Sequence, residues 1–156
     1  MTHTELEYAS GALGKLRGYL PHRWPEWFSP MPVDFTSTPF GAVMATRPLT
    51  SAGDVVLLST PGHTPGHMSV AVELPEQLVI LAGDTSYTEQ LMLDGAADGV
   101  TNDPTTAKAT LTALRTLANS RPTVYLPSHD PDSQSRLAAM RIVAPTEQSP
   151  AAAATR

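Results

Sequence analysis

Apolar positions along the chain follow two different periods. Val55-Val56-Leu57-Leu58 is a continuous apolar run behind Gly53-Asp54 and predicts a short buried strand. Residues His67–Leu74 alternate in part and predict a second strand, with Pro75-Glu76 as the turn that follows. Gln77–Ala82 predicts a third strand, ending at Gly83-Asp84. A fourth, Thr123–Leu126, follows Arg121-Pro122 and ends at Pro127-Ser128-His129-Asp130. The helical period appears after Asp103, an N-cap with Pro104 at the first position, where Ala107, Leu111, Leu114 and Leu117/Ala118 share a face. Residues 4–17 predict a helix with Thr4 and Glu7 as a capping box and Leu6, Leu13 and Leu16 on one side. A last helix is expected from about Asp132 to Val143, with Leu137 and Met140 inward and Pro145 ending it. Strands with packed helices make an α/β chain.

Residues 18–48 carry Pro, Trp and Phe without a clear period. They predict a long irregular segment with short strands near Phe35 and Ala42–Ala45, and loops of that length are often functional. Trp24, Trp27 and Phe28 are candidates for lining an apolar pocket, the competing reading being aromatic packing over the core. The run from Pro145 to Arg156 has no large apolar residue, so the folded domain is expected to span 1–144 and the tail to be disordered.

Composition narrows the chemistry. The 156 residues suffice for one core, and a net charge of −5 without a Lys/Arg cluster argues against a nucleic-acid partner. There is no cysteine, so a metal would have to be held by His and carboxylate. No apolar run approaches the roughly 20 residues of a membrane helix, and the first residues lack the apolar stretch of a signal peptide. A cytoplasmic protein is the expectation.

The densest chemistry lies in Thr60-Pro61-Gly62-His63-Thr64-Pro65-Gly66-His67, which sets imidazoles at the corners of a rigid turn. His63, Asp84 and His129 each follow the end of a predicted strand. If those strands run the same way, the three side chains converge on one sheet edge, and two imidazoles with a carboxylate suit a zinc-like ion. Spacing alone leaves another reading open, with Asp84 as an Asx turn and His129 as a surface loop histidine.

Together, the His63–His67 turn, Ala82-Gly83-Asp84-Thr85 and Ser128-His129-Asp130 resemble, in order and strand context, the second half of the metallo-β-lactamase superfamily. The resemblance runs from about residue 4 to residue 143. It implies the C-terminal half of an αββα sandwich. It also implies that His63 is a ligand of one zinc, Asp84 bridges two, and His129 is a ligand of the second. By the same resemblance His67 supports the ligands without being one, while His3 and His22 match nothing. Tyr87, three residues after Asp84, is similar to the tyrosine that leans over the metals in the N-acyl-homoserine lactonase branch. The implied reaction is ring-opening hydrolysis of a lactone ester by a metal-bridging hydroxide. Asp84 and Tyr87 would be at the reacting centre, and Tyr87 would hold the carbonyl or its oxyanion.

The family's His-x-His-x-Asp-His motif is absent from these residues. The helix at 4–17 is similar to the one that follows that motif, so the chain is expected to begin just downstream of it. Three ligands would then hold one ion loosely or none, and the sheet that covers one face of the sandwich would be missing. Three functions remain in play. The chain is part of a lactonase-like hydrolase truncated at its N-terminus; or it is a non-catalytic remnant or a subunit completed by another chain, with a homo-oligomer also possible; or it is a hydrolase of the same fold acting on a thioester or β-lactam. In the enzymatic cases the partner is a small lactone or other ester-like substrate.

Overall fold

The structure is a computed structural model, described here for residues 1–144. The expectation of a disordered tail from Pro145 lies outside the described residues. One five-stranded sheet organises the chain, in the order β1 (Thr46–Pro48), β2 (Val55–Ser59), β3 (Met68–Glu73), β4 (Leu78–Gly83) and β5 (Thr123–Pro127). The first four strands form an antiparallel meander, and β5 joins β4 in parallel. A parallel partner needs a crossover, and the segment 84–122 supplies it. It contains α3 (Glu89–Asp94) and the long α4 (Pro104–Ser120).

This topology sets up the site. β2 and β4 are separated by antiparallel β3, so they run in the same direction, and β5 runs with β4. The ends of β2, β4 and β5 therefore open on a single edge, and β3 starts there. The turn at 60–67, Asp84 and His129 all emerge on that edge.

The core lies between one sheet face and the crossover helices. Leu58, Ala71, Ile80 and Tyr125 from the sheet pack with Met92 of α3 and with Leu111 and Leu114 of α4. The predicted face of α4 is buried throughout, and Asp103 caps the helix through the Thr105 and Thr106 backbone N–H groups. Truncating a buried leucine such as Leu114 in such a core costs about 2–5 kcal/mol. On the opposite face Val79, Val124 and Leu126 form a smaller cluster with Val72 and Met140, and Leu81 is 45% exposed. The edge of β2 is covered by short, proline-ended β1.

Two helices differ from expectation. The segment 4–17 is not one helix but α1 (His3–Ser10) and α2 (Ala12–Leu16), interrupted at Gly11, whose backbone is extended. Its cap is Thr2, accepting the Glu5 N–H, rather than Thr4 with Glu7. Leu13 and Leu16 are exposed, because the break turns α2 away from the axis on which the three leucines would have lined up. The last helix, α5, covers only Ser133–Ala138, and Met140 then takes a left-handed backbone (φ 47°). Leu137 points to solvent and Arg136 occupies the buried position instead. Two buried carboxylates there require a cation, and that requirement overrides the hydrophobic period. A short helix, α3, lies where no apolar period predicts one.

Candidate metal centre

The His63 turn is held from three sides. Gly62 has φ 141°, a backbone that side chains rarely adopt, and a Cβ there would stand 2.5 Å from the Ala107 Cα of α4. Thr110 of α4 donates to the Pro61 carbonyl, and the backbone N–H groups of Asn102 and Asp103 donate to the His63 and Gly62 carbonyls. From α1, Glu5 accepts the Gly66 N–H while Thr2 donates to the Gly66 carbonyl.

His63 Nε2 lies 3.7 Å from Asp84 Oδ2, and His129 Nε2 lies 3.4 Å from Asp84 Oδ1. The two oxygens of one carboxylate thus face two different histidines. Among the described residues, no three His, Asp or Glu side chains close into a preformed cage for one ion. The arrangement is two half-sites that share Asp84. Each offers an imidazole and a carboxylate oxygen, a donor set that zinc accepts. The expected convergence of His63, Asp84 and His129 is therefore present, and each ion would need further ligands.

His67 is built into the scaffold beneath them. Its Nε2 accepts the backbone N–H of Asp84 at 3.1 Å, which places its proton on Nδ1. Nδ1 lies 3.1 Å from the Thr60 carbonyl and 2.9 Å from the Thr60 hydroxyl. Burial lowers the His67 pKa, the neighbouring His63 adds to that, and Asp84 opposes it. A neutral ring matches both bonds. Gly83 makes the approach possible, because its φ is 61° and a Cβ would meet His67 Nε2 at 2.9 Å.

Tyr87 leans over both half-sites, its ring centroid 4.6 Å from that of His129 and 6.2 Å from that of His63. Desolvation raises its pKa, and the nearby Asp98 and Asp84 carboxylates raise it further. A cavity of about 430 Å³ opens beside His63 and Tyr87, with Tyr8, Arg17, Tyr19 and Asn102 also on its walls. The Tyr8 hydroxyl donates to Asn102, and Tyr19 bonds Glu5. The structure does not bring Trp24, Trp27 and Phe28 to this cavity. Trp24 packs on Phe28 with centroids 4.8 Å apart, and Trp27 is exposed. His3 and His22 lie on the surface away from the centre.

Sequence reasoning missed two groups. Asp98 approaches the other nitrogen of His63, with Oδ2 3.8 Å from Nδ1. Arg136 lies between Asp130 and Glu89, at 3.2 Å and 2.9 Å, and also donates to the Tyr125 carbonyl. Asp130 in turn accepts the N–H groups of Glu89 and Asp132. Burial works to raise the Asp130 pKa, but these donors and Arg136 outweigh it and hold the carboxyl low. Burial raises the Glu89 pKa against the pull of Arg136. The clamp ties the residue after His129 to the helix that begins just beyond Tyr87. Neither Asp98 nor Arg136 belongs to a spaced motif.

The sequence profile of the metallo-beta-lactamase superfamily matches residues 3–129. The chain belongs to the metallo-beta-lactamase superfamily. It is 32% identical over 82 residues to the N-acyl homoserine lactonase AttM of Rhizobium radiobacter, a stretch covering 52% of this chain and 31% of that protein. The match to AttM of Agrobacterium fabrum has the same identity and coverage. Among solved structures, an N-acyl homoserine lactone hydrolase with N-hexanoyl-L-homoserine at its catalytic metal center superposes with TM-score 0.51 and 27% identity, over 58% of this chain and 35% of that one. A quorum-quenching N-acyl homoserine lactone lactonase gives the same score and identity, over 58% and 37%. The chain spans about a third of the length of these relatives. Its α/β sheet with packed helices agrees with the fold of these superfamily neighbours.

Proposed function

We propose that this chain forms the His63–Asp84–His129 side of a metal-dependent lactonase that opens the ester ring of a small lactone. The observation that carries this reading is the shared carboxylate, with its two oxygens directed at two different imidazole Nε2 atoms. In the proposed site His63 with Asp84 would hold one zinc, and His129 with Asp84 a second. The remaining ligands would come from outside these 156 residues, in the manner of the family's His-x-His-x-Asp-His motif. When bound, such ions polarise an ester carbonyl and lower the pKa of water.

The chain's own residues do the rest. The Tyr87 phenol is a hydrogen-bond donor poised beside both half-sites. It would donate to the carbonyl oxygen of the substrate and more strongly to the oxyanion that develops there. His67 fixes the backbone of Asp84. The cavity beside His63 would receive the part of the substrate that does not react.

The reading is tested with the chain alone and with the chain extended at Met1 by a segment carrying the missing motif, both loaded with zinc. Lactone opening is followed by proton release. The extended protein is expected to open N-acyl homoserine lactones, to lose turnover in His63→Ala, and to be slowed in Tyr87→Phe. The chain alone should be inactive. Hydrolysis of a thioester or β-lactam in preference to lactones would overturn the substrate assignment. Inactivity of the extended, zinc-loaded protein on all three would favour a non-catalytic role.

A further inference from the structure

We propose that Asp98 is a positioning residue for His63, holding the Nδ1–H of the ring and so turning the Nε2 lone pair toward Asp84. The inference rests on the metal reading above for its consequence, but not for its geometry.

Asp98 lies in the loop between α3 and α4, outside every motif. Its side chain is only 4% exposed. One oxygen, Oδ1, accepts the Val100 N–H at 3.0 Å. The other, Oδ2, is fully enclosed and has no hydrogen-bond partner. His63 Nδ1 is also enclosed and also without a partner. These two orphaned, complementary groups face one another across 3.8 Å. Leaving a buried polar group unpaired is costly, more so for a charge, and native structures rarely do it. Among the described residues no Lys or Arg pairs with Asp98. A small rotation of the imidazole would bring the pair to the roughly 2.7–2.9 Å of a charge-assisted bond.

The loop is placed to make this contact. The N–H groups of Asn102 and Asp103 are bonded to the carbonyls of His63 and Gly62, so the segment carrying Asp98 is fastened to the turn carrying His63. A proton held on Nδ1 leaves Nε2 as the lone-pair nitrogen, and Nε2 is the atom 3.7 Å from Asp84. A carboxylate behind a ligating imidazole fixes both tautomer and ring orientation, and losing such a partner lowers metal affinity by about 10–100-fold. Desolvation by the enclosed site strengthens the effect, since the carboxylate has little water to turn to.

A purely architectural role for Asp98 makes a different prediction. In Asp98→Asn the amide oxygen can still accept the Val100 N–H, so the loop keeps its shape. The amide NH2 would then face His63 Nδ1 as a donor, favouring the ring with its proton on Nε2, which cannot ligate. Positioning thus predicts that Asp98→Asn harms the site at least as much as Asp98→Ala. Architecture predicts that Asn is the milder change.

Two measurements decide it. The first is the His63 tautomer in the zinc-free chain carrying Asp84→Ala, in which no carboxylate competes for Nε2–H, read from nitrogen-15 couplings at about pH 8, above the ordinary histidine pKa of about 6.5. That ring is expected to carry the proton on Nδ1, and adding Asp98→Asn to move it to Nε2. A ring protonated on Nε2 with Asp98 in place overturns the proposal. The second is zinc affinity of the extended protein by competition with a chromophoric chelator, with melting temperatures recorded alongside. Asp98→Asn is expected to bind about 10–100-fold more weakly at an unchanged melting temperature. Asp98→Asn binding like wild type while Asp98→Ala binds weakly overturns it in favour of architecture. If the extended wild type binds no zinc yet the tautomer switch is seen, the metal reading fails and the Asp98–His63 contact stands.

Discussion

The two sides of Asp84 are built differently. On one side His63 is largely enclosed, with its side chain 19% exposed, Asp98 behind it and a turn pinned to α1 and α4 around it. On the other side His129 is 56% exposed. Among the described residues its ring meets Asp84 and the face of Tyr87. Its support is indirect and comes through the next residue, Asp130, which Arg136 and the Glu89 N–H hold in place. One carboxylate thus faces an enclosed histidine with an acid behind its ring and an exposed histidine held through its backbone. The first kind of support tunes the imidazole itself. The second fixes only where it starts.

Removing the shared group breaks the comparison altogether. In the extended protein Asp84→Ala is expected to abolish measurable zinc uptake on both sides, the largest effect foreseen, as read by chelator competition. Retention of one ion at wild-type affinity would mean that the two half-sites do not depend on a common carboxylate.

Disturbing only the His129 side should appear mainly as lost stability. Arg136→Ala strips the counter-charge from Asp130 and Glu89, and breaking a buried ion pair costs about 3–5 kcal/mol. Urea unfolding checks this, and a loss within error of zero would show that the clamp is an incidental contact. Arg136→Lys should recover only part of the loss, because an ammonium cannot reproduce the planar fork that reaches both acids.

Beneath both sides lies the contact between His67 and the Asp84 backbone. Gly83→Ala places a Cβ in a left-handed backbone and against His67 Nε2. The backbone term alone is about 1–2 kcal/mol, and thermal melts should show a decrease of at least that size. A neutral result would require the Gly83 turn to relax without cost.

The smallest effect lies behind the His63 side, at the start of α4. Hydrogen bonds from the Thr106 hydroxyl and backbone hold the Asp103 pKa below its ordinary value. A carboxyl with a depressed folded pKa contributes stability above its unfolded pKa, about 3.9, and loses it as pH falls through the folded value. The stability gap between wild type and Asp103→Ala should therefore be full near neutrality and close on acidification below about pH 3.9. A gap that persists unchanged at low pH would assign the cap to something other than the ionised carboxylate.

Much of this was legible in the sequence, for identifiable reasons. The strands at 55–59, 78–83 and 123–127 and the face of α4 are apolar runs bounded by Gly, Asp and Pro, so pattern alone located them. The meeting of His63, Asp84 and His129 needed only the direction of three strands. The rest depended on contacts that no period encodes. Gly11 splits α1 from α2 through an extended backbone, which a capping pattern does not reveal. Arg136 displaces Leu137 from the inward position because two acids from other elements meet there. Asp98 joins His63 only because its loop is fastened to the turn by backbone bonds. The Trp24–Phe28 segment carried aromatic content without a geometric signal, and the cavity formed instead around Tyr8, Tyr19 and Tyr87.

Asp84 is the proposed hub of a zinc site shared by His63 and His129. Anomalous diffraction at the zinc edge from crystals of the zinc-loaded extended protein shows where the metal sits. Zinc density is expected between His63 Nε2 and Asp84, with a second peak between Asp84 and His129. Ordered zinc bound elsewhere, with Asp84 left free of metal, rules the shared site out.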